Sequence, residues 1–119
     1  MPENPKFKSG IPLPGAPVRG SATGRPVMAA MDLLGRRWAL RLIWEMSAQS
    51  RGFRELRTIC GGLSPSVLSN KLKELQAAGI VMQDENSQWR LTPLGHKLQP
   101  VILSLNDWSQ EWARELAKE

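Results

Sequence analysis

Residues 63–79 constrain the fold of this chain more than any other stretch. Ser64 is suited to cap free helical amides, and Pro65 takes the first helical position, where no backbone donor is needed. Gly79 suits the left-handed turn that closes a helix. At a helical period Val67, Leu68, Leu72, Leu75 and Ala78 gather on one side. The opposite side carries Ser66, Ser69, Asn70 and Lys73. A surface helix ordinarily mixes Glu and Lys there. Short hydroxyls, an amide and a lysine instead let the helix axis come close to another surface and reach phosphate oxygens and base edges. Alone, these residues fit a groove-reading helix and a plain capped amphipathic helix equally well. The neighbouring segments decide between them.

Upstream, Phe53, Leu56 and Ile59 anchor a short predicted helix over residues 53–60, and Gly61-Gly62 makes a tight turn into residues 63–79. Two helices joined by a short glycine turn form the layout of a helix-turn-helix, in which the first helix braces and the second enters the major groove. Ile80, Val81 and Met82 then begin a strand, residues 84–87 turn, and residues 88–91 return, giving a small β-hairpin in the position of a wing. Before this unit, Pro26 starts a helix over residues 27–34 with Val27, Met28, Met31 and Leu34 on its apolar side, and Gly35 ends it. A second helix over residues 37–47 buries Trp38, Ala39, Leu42, Ile43 and Met46. Leu40 and Trp44 fall on its other side and need cover from the first helix or from a second subunit.

After the hairpin, Thr92 caps and Pro93 opens a long final helix. Leu94, Leu98, Val101, Leu105, Trp108, Trp112 and Leu116 recur along it in steps of four and three, a seam-like stripe. Pro100 lies inside this helix and is expected to bend it. The stripe exceeds what three short helices and a hairpin cover. It reads as a homodimer interface formed by Leu40, Trp44, Val101, Leu105, Trp108 and Trp112, with internal core as the alternative for the tryptophans. The expected fold is mainly α with a small β-hairpin wing (α+β), a winged helix-turn-helix over residues 25–119. Residues 1–24, with five prolines and four glycines, read as a flexible N-terminal arm. Lys6, Lys8, Arg19 and Arg25 tint it positive, for a DNA minor groove or for no role at all.

Charge placement supports an anionic partner. The chain of 119 residues has 16 Lys+Arg against 11 Asp+Glu. Eight of the basic residues and only two acids lie between Arg36 and Lys73, whereas acids outnumber bases from Leu98 onward. A single cysteine, Cys60, excludes an intrachain disulfide and suits a reducing cytoplasm. It reads as a small buried apolar residue, or as a redox sensor. No apolar run reaches the length of a membrane span. Clustered His, Cys and carboxylates at ligand spacing, a phosphate-binding glycine loop, and a nucleophile beside a base are all missing from the sequence, so no enzyme, metal or cofactor is expected. His96, the single histidine, is assigned no chemistry.

Several motifs resemble the HxlR-type family of winged helix-turn-helix regulators of transcription. Asp32-Leu33-Leu34-Gly35-Arg36-Arg37-Trp38 is similar to the family's entry to its second helix, followed by Leu42-Ile43-Trp44-Glu45-Met46. Phe53-Arg54-Glu55-Leu56-Arg57 resembles its third helix. Leu63-Ser64 through Leu68, Leu72, Lys73, Glu74, Leu75 and Ala78-Gly79-Ile80-Val81 resembles its recognition helix. Leu91-Thr92-Pro93-Leu94-Gly95, shared with MarR-like proteins, and Pro100 through Trp108 resemble its last helix. The resemblance covers residues 26–112. Two departures stand out: Arg25 stands where family members often have a cysteine, which some use for redox sensing, and the wing is short.

The resemblance implies a bacterial-type, cytoplasmic, sequence-specific DNA-binding regulator acting as a homodimer on double-stranded DNA. Its effector is not legible. Ser64, Ser66, Ser69, Asn70 and Lys73 are the candidate groove contacts. Lys71, Arg54, Arg57 and Arg90 are the candidate phosphate contacts, with a local pair to Glu55 or another surface acid as the alternative for Arg54 and Arg57. The competing function is a winged-helix protein-interaction module that has lost DNA binding.

Overall fold

The computed structural model describes residues 11–18, 22 and 24–118. Among the described residues, four helices come first: α1 (Pro26–Leu34), α2 (Ala39–Ala48), α3 (Phe53–Ile59) and α4 (Pro65–Ala77). Strands β1 (Val81–Gln83) and β2 (Trp89–Leu91) follow, then α5 (Pro93–His96) and α6 (Gln99–Ala117). The molecule is a winged helix-turn-helix, mainly helical with one antiparallel hairpin.

The caps form where the sequence places them. Ser64 Oγ accepts from the Val67 amide at 3.3 Å, with Pro65 opening α4. Past its end, Gly79 takes φ 81° while the Ile80 and Gly79 amides donate back to Leu75 and Gln76. This paired closure satisfies two terminal carbonyls and turns the chain directly into β1. Thr92 Oγ1 accepts from the Gly95 amide at 3.0 Å and donates to the Gly79 carbonyl at 2.7 Å, pinning α5 to the exit of α4.

The hairpin pairs Val81 with Leu91, Met82 with Arg90 and Gln83 with Trp89. Asp84 Oδ1 accepts from the Asn86 and Gln88 amides and so shapes its turn. Arg51, ahead of α3, adds a bridge to Trp89 with backbone bonds of 2.9 and 2.8 Å. The wing is thereby tied to the loop before the bracing helix.

Leu42, Ile43 and Met46 of α2, Leu56 of α3, Leu68, Leu72 and Leu75 of α4, and Val81 of β1 form the deepest core. Within the span expected as a flexible arm, Ile11 and Ala16 are buried, Ile11 in the same core. The rest of residues 1–10, including Lys6 and Lys8, lies outside the described residues.

Three expectations are corrected. Trp38 is not part of a helix: it precedes α2 at φ 74°, half-buried against the core. Helical period alone had placed it on the buried face, and its contact with the core is kept from outside the helix. On α1, Ala29 and Leu33 are buried while Val27 and Met31 are 48% and 63% exposed. The helix has two apolar stripes, and the one with the small Ala29 permits the closer approach. The final helix is two helices. The Lys97 and Leu98 amides bond to Leu94 and Gly95, the helix is interrupted there, and Pro100 lies in the first turn of α6 instead of bending its middle.

Candidate nucleic-acid interface

The outer face of α4 is open. Ser64, Ser66, Asn70 and Lys73 are exposed and Ser69 is half-buried. Ser64 Oγ accepts the Val67 amide and retains its hydroxyl proton for donation. Among the described residues, no ion pair involves Lys73. Short side chains and one unpaired cation thus cover the helix surface opposite Leu68, Leu72 and Leu75. Late on this helix, Asn70, Lys73, Glu74 and Ala77 border a surface hollow whose far wall is Ile11.

The phosphate candidates separate into two groups. Arg54 on α3 and Arg90 on β2 are exposed, and neither takes part in an ion pair among the described residues. Arg57 is half-buried, and its Nε donates to the Leu63 carbonyl at 2.8 Å. The Gly62 and Leu63 amides in turn bond to the Arg57 carbonyl, so Arg57 holds the turn between α3 and α4 from both its ends. That turn needs its two glycines, since Gly61 and Gly62 both adopt positive φ. Lys71 is also half-buried, 3.5 Å from Glu74 Oε1. Glu74 Oε2 meets Arg36 Nη1 at 3.1 Å, which locks α4 to the corner between α1 and α2. Arg57 therefore fixes the start of α4 and Arg36 its later turn, with Lys71 beside Glu74 on the same helix, while Arg54 and Arg90 face outward.

Glu55 does not pair with Arg54 or Arg57, as the local alternative had it. Its carboxylate meets Arg51 Nη1 at 2.9 Å and accepts the Gly52 amide at the start of α3. The Arg51 hydrogen bond, aided by that amide, holds its pKa below the usual 4.5. Arg51 also donates through Nε to the Glu45 carbonyl, joining α2, α3 and the wing. The sequence reading missed this connector. Its only signal was an arginine beside Gly52 in a polar break, which periodicity does not interpret.

Cys60 ends α3 with 6% exposure, and burial pushes its thiol up, away from the reactive thiolate. His96 is exposed on α5. No group of His, Cys, Asp and Glu with metal-binding geometry occurs among the described residues, and no helix is long and apolar enough to cross a membrane.

A second surface lies on α6. Among its described residues Ile102 is the buried one. Val101, Leu105, Trp108, Trp112 and Leu116 stand open, Trp108 at 56% and Trp112 at 53%. The two indoles stack with centroids 5.4 Å apart and planes 20° from parallel. Of the other interface candidates, Leu40 packs against the core of its own chain, and Trp44 is 43% exposed beside α6.

The profile of the HxlR-like helix-turn-helix family matches residues 33–117. The HTH-type transcriptional regulator YybR of Bacillus subtilis is 31% identical over 93 residues, spanning 73% of this chain and 74% of YybR. Quinone-bound YodB from B. subtilis superposes with a TM-score of 0.67 at 28% identity, covering 71% of this chain and 96% of YodB. A transcriptional regulator of the MarR family from Enterococcus faecalis V583 gives 0.68 at 26% identity, covering 76% and 88% of the respective chains.

Proposed function

The chain belongs to the HxlR-like helix-turn-helix family of transcriptional regulators, and from that premise we propose that it binds operator DNA sequence-specifically as a homodimer. The observation that carries this reading is the outer face of α4, which is short, polar and open, with Arg54 and Arg90 exposed on neighbouring elements. In this reading Ser66, Ser69 and Asn70 face base edges in the major groove, and Lys73 on the same face reaches a phosphate at the groove's rim. Ser64 and the positive end of the α4 dipole sit at a phosphate. Arg54 and Arg90 hold further phosphates on either side, Arg57 acts chiefly by fixing the helix in place, and Lys71 lies beside Glu74 on the same helix. Val101, Leu105, Trp108 and Trp112 pair with their counterparts in a second copy, which sets the half-site spacing. A reducing cytoplasm is the matching compartment, and residues 25–119, with Ile11 packed into their core, form the working unit.

The wing supports a second reading. Its strands are three residues each, and Asp84 and Glu85 stand at its turn, where like charge opposes entry into a minor groove. A winged-helix protein-interaction module would have the same shape. Mobility shift on DNA from the protein's own promoter region, with excess nonspecific competitor and a salt series, separates the two. A complex that survives competitor and weakens as salt rises is expected, because each neutralised phosphate releases condensed counterions. Binding that competitor abolishes on every promoter fragment tested would leave the interaction module.

A further inference from the structure

Between α2 and α6 lies a cleft of about 250 Å³ that the DNA reading does not use. One wall is the half-open indole of Trp44, and the other is α6, with Ile102 and Leu103. Its polar side holds Glu45, Arg51 and Gln99.

The charges there are already satisfied within the protein. Glu45 Oε2 accepts Arg41 Nε at 2.8 Å and Glu45 Oε1 lies 4.0 Å from Arg51 Nη2, while Arg51 Nη1 holds Glu55 at 2.9 Å. Two cations and two carboxylates form a closed, neutral cluster. A charged guest would have to displace one of these partners, whereas a neutral one would not. The Gln99 amide remains as a hydrogen-bonding group at the rim. An apolar cavity of roughly 150 Å³ accommodates benzene, so this cleft suits a planar body of about ten non-hydrogen atoms against the Trp44 face.

Position gives the cleft its consequence. Ile102 is the buried side chain by which α6 is seated, and it lines the cleft. A ring wedged beside it tilts α6 against the α2–α4 body. If α6 carries the dimer seam, that tilt moves the two recognition helices apart or together. We infer that the α2–α6 cleft is an effector site for a neutral, planar, bicyclic aromatic molecule whose binding changes operator affinity.

The effect on DNA rests on the operator-binding reading, but occupancy of the cleft does not, and the test separates them. Indole is titrated into the ¹⁵N-labelled full chain, and the tryptophan side-chain N–H signals are followed, with that of Trp44 assigned through Trp44→Phe. The Trp44 signal is expected to shift saturably, with a midpoint on the order of 0.1–1 mM for a ligand this small. The Trp108 and Trp112 signals, away from the cleft, should move less than that of Trp44. Ala48→Phe, which fills the cleft from the end of α2, should weaken that midpoint at least tenfold. Indole-3-acetate, bearing a charge, should bind more weakly than indole. At saturation, indole should change operator affinity at least threefold in the wild type and not in Ala48→Phe. A missing Trp44 shift, or equal shifts at every tryptophan, would overturn the site. Saturable binding with unchanged operator affinity would overturn its coupling to DNA. Loss of operator binding with or without indole would refute the operator reading while leaving the occupancy result intact.

Discussion

Asn70 and Lys73 occupy the same face of α4 with different chemistry, and that difference is measurable. Asn70→Ala should cost about 1–3 kcal/mol against the preferred operator and relax discrimination at one base position. Lys73→Ala should weaken all DNA sequences alike and lower the salt slope by about one. Both side chains are exposed, so thermal unfolding midpoints should stay within a degree or two of the parent, and a large drop in either would mean a structural role instead. The helical period alone placed these two side chains outward. It did not assign Lys71 or Arg57, because their roles depend on Glu74 and on the Leu63 carbonyl, partners reached across a turn or from the next element. Glu55 gives a pH test. Its pKa is held below the usual value by Arg51, so the stability it contributes is present above pH 4.5 and fades as pH falls through the lowered folded value. The gap in unfolding temperature between the parent and Glu55→Gln should therefore be widest near neutrality and close on acidification. A gap independent of pH would sever that link.

At the scale of elements, Gly95 is the tightest junction. A Cβ there would collide with the Ile80 carbonyl oxygen and press on Leu91, so α5 lies directly on the base of the wing. Gly95→Ala should lose about 2–4 kcal/mol in urea unfolding, whereas alanine at the exposed Ser66 should stay within about 0.5 kcal/mol. Equal effects would mean that the junction yields. Most elements were legible because caps, prolines and glycines mark their ends: Ser64-Pro65, Thr92-Pro93 and Gly79 all behave as their residue types dictate. The break between α5 and α6 was not, because the apolar steps of four and three run through it without a gap. Pro100 was the available signal, read as a kink within a helix when its preference for a first turn was the better guide. Nor was the left-handed Trp38, whose bulk gives no hint of a positive φ.

For the whole molecule, the question is what covers α6. Its stripe was readable from spacing, but the outward turn of Val27 and Met31 on α1 was not, since two apolar stripes compete for one core and only packing chooses. Trp108→Glu combined with Trp112→Glu puts charge on a surface already open in the single chain, so the fold should persist. Light scattering should report a monomeric mass, and operator affinity should drop at least tenfold as paired half-sites are lost. A dimeric mass in the double variant would move the interface elsewhere. The stacked indoles of Trp108 and Trp112 also make this region self-reporting. Two like chromophores so near share their electronic excitation, which splits their absorption, and skew between their transition dipoles yields a paired positive and negative band in circular dichroism. Any rearrangement of α6 at assembly will rewrite that band pair, giving an optical record of subunit exchange that needs no label.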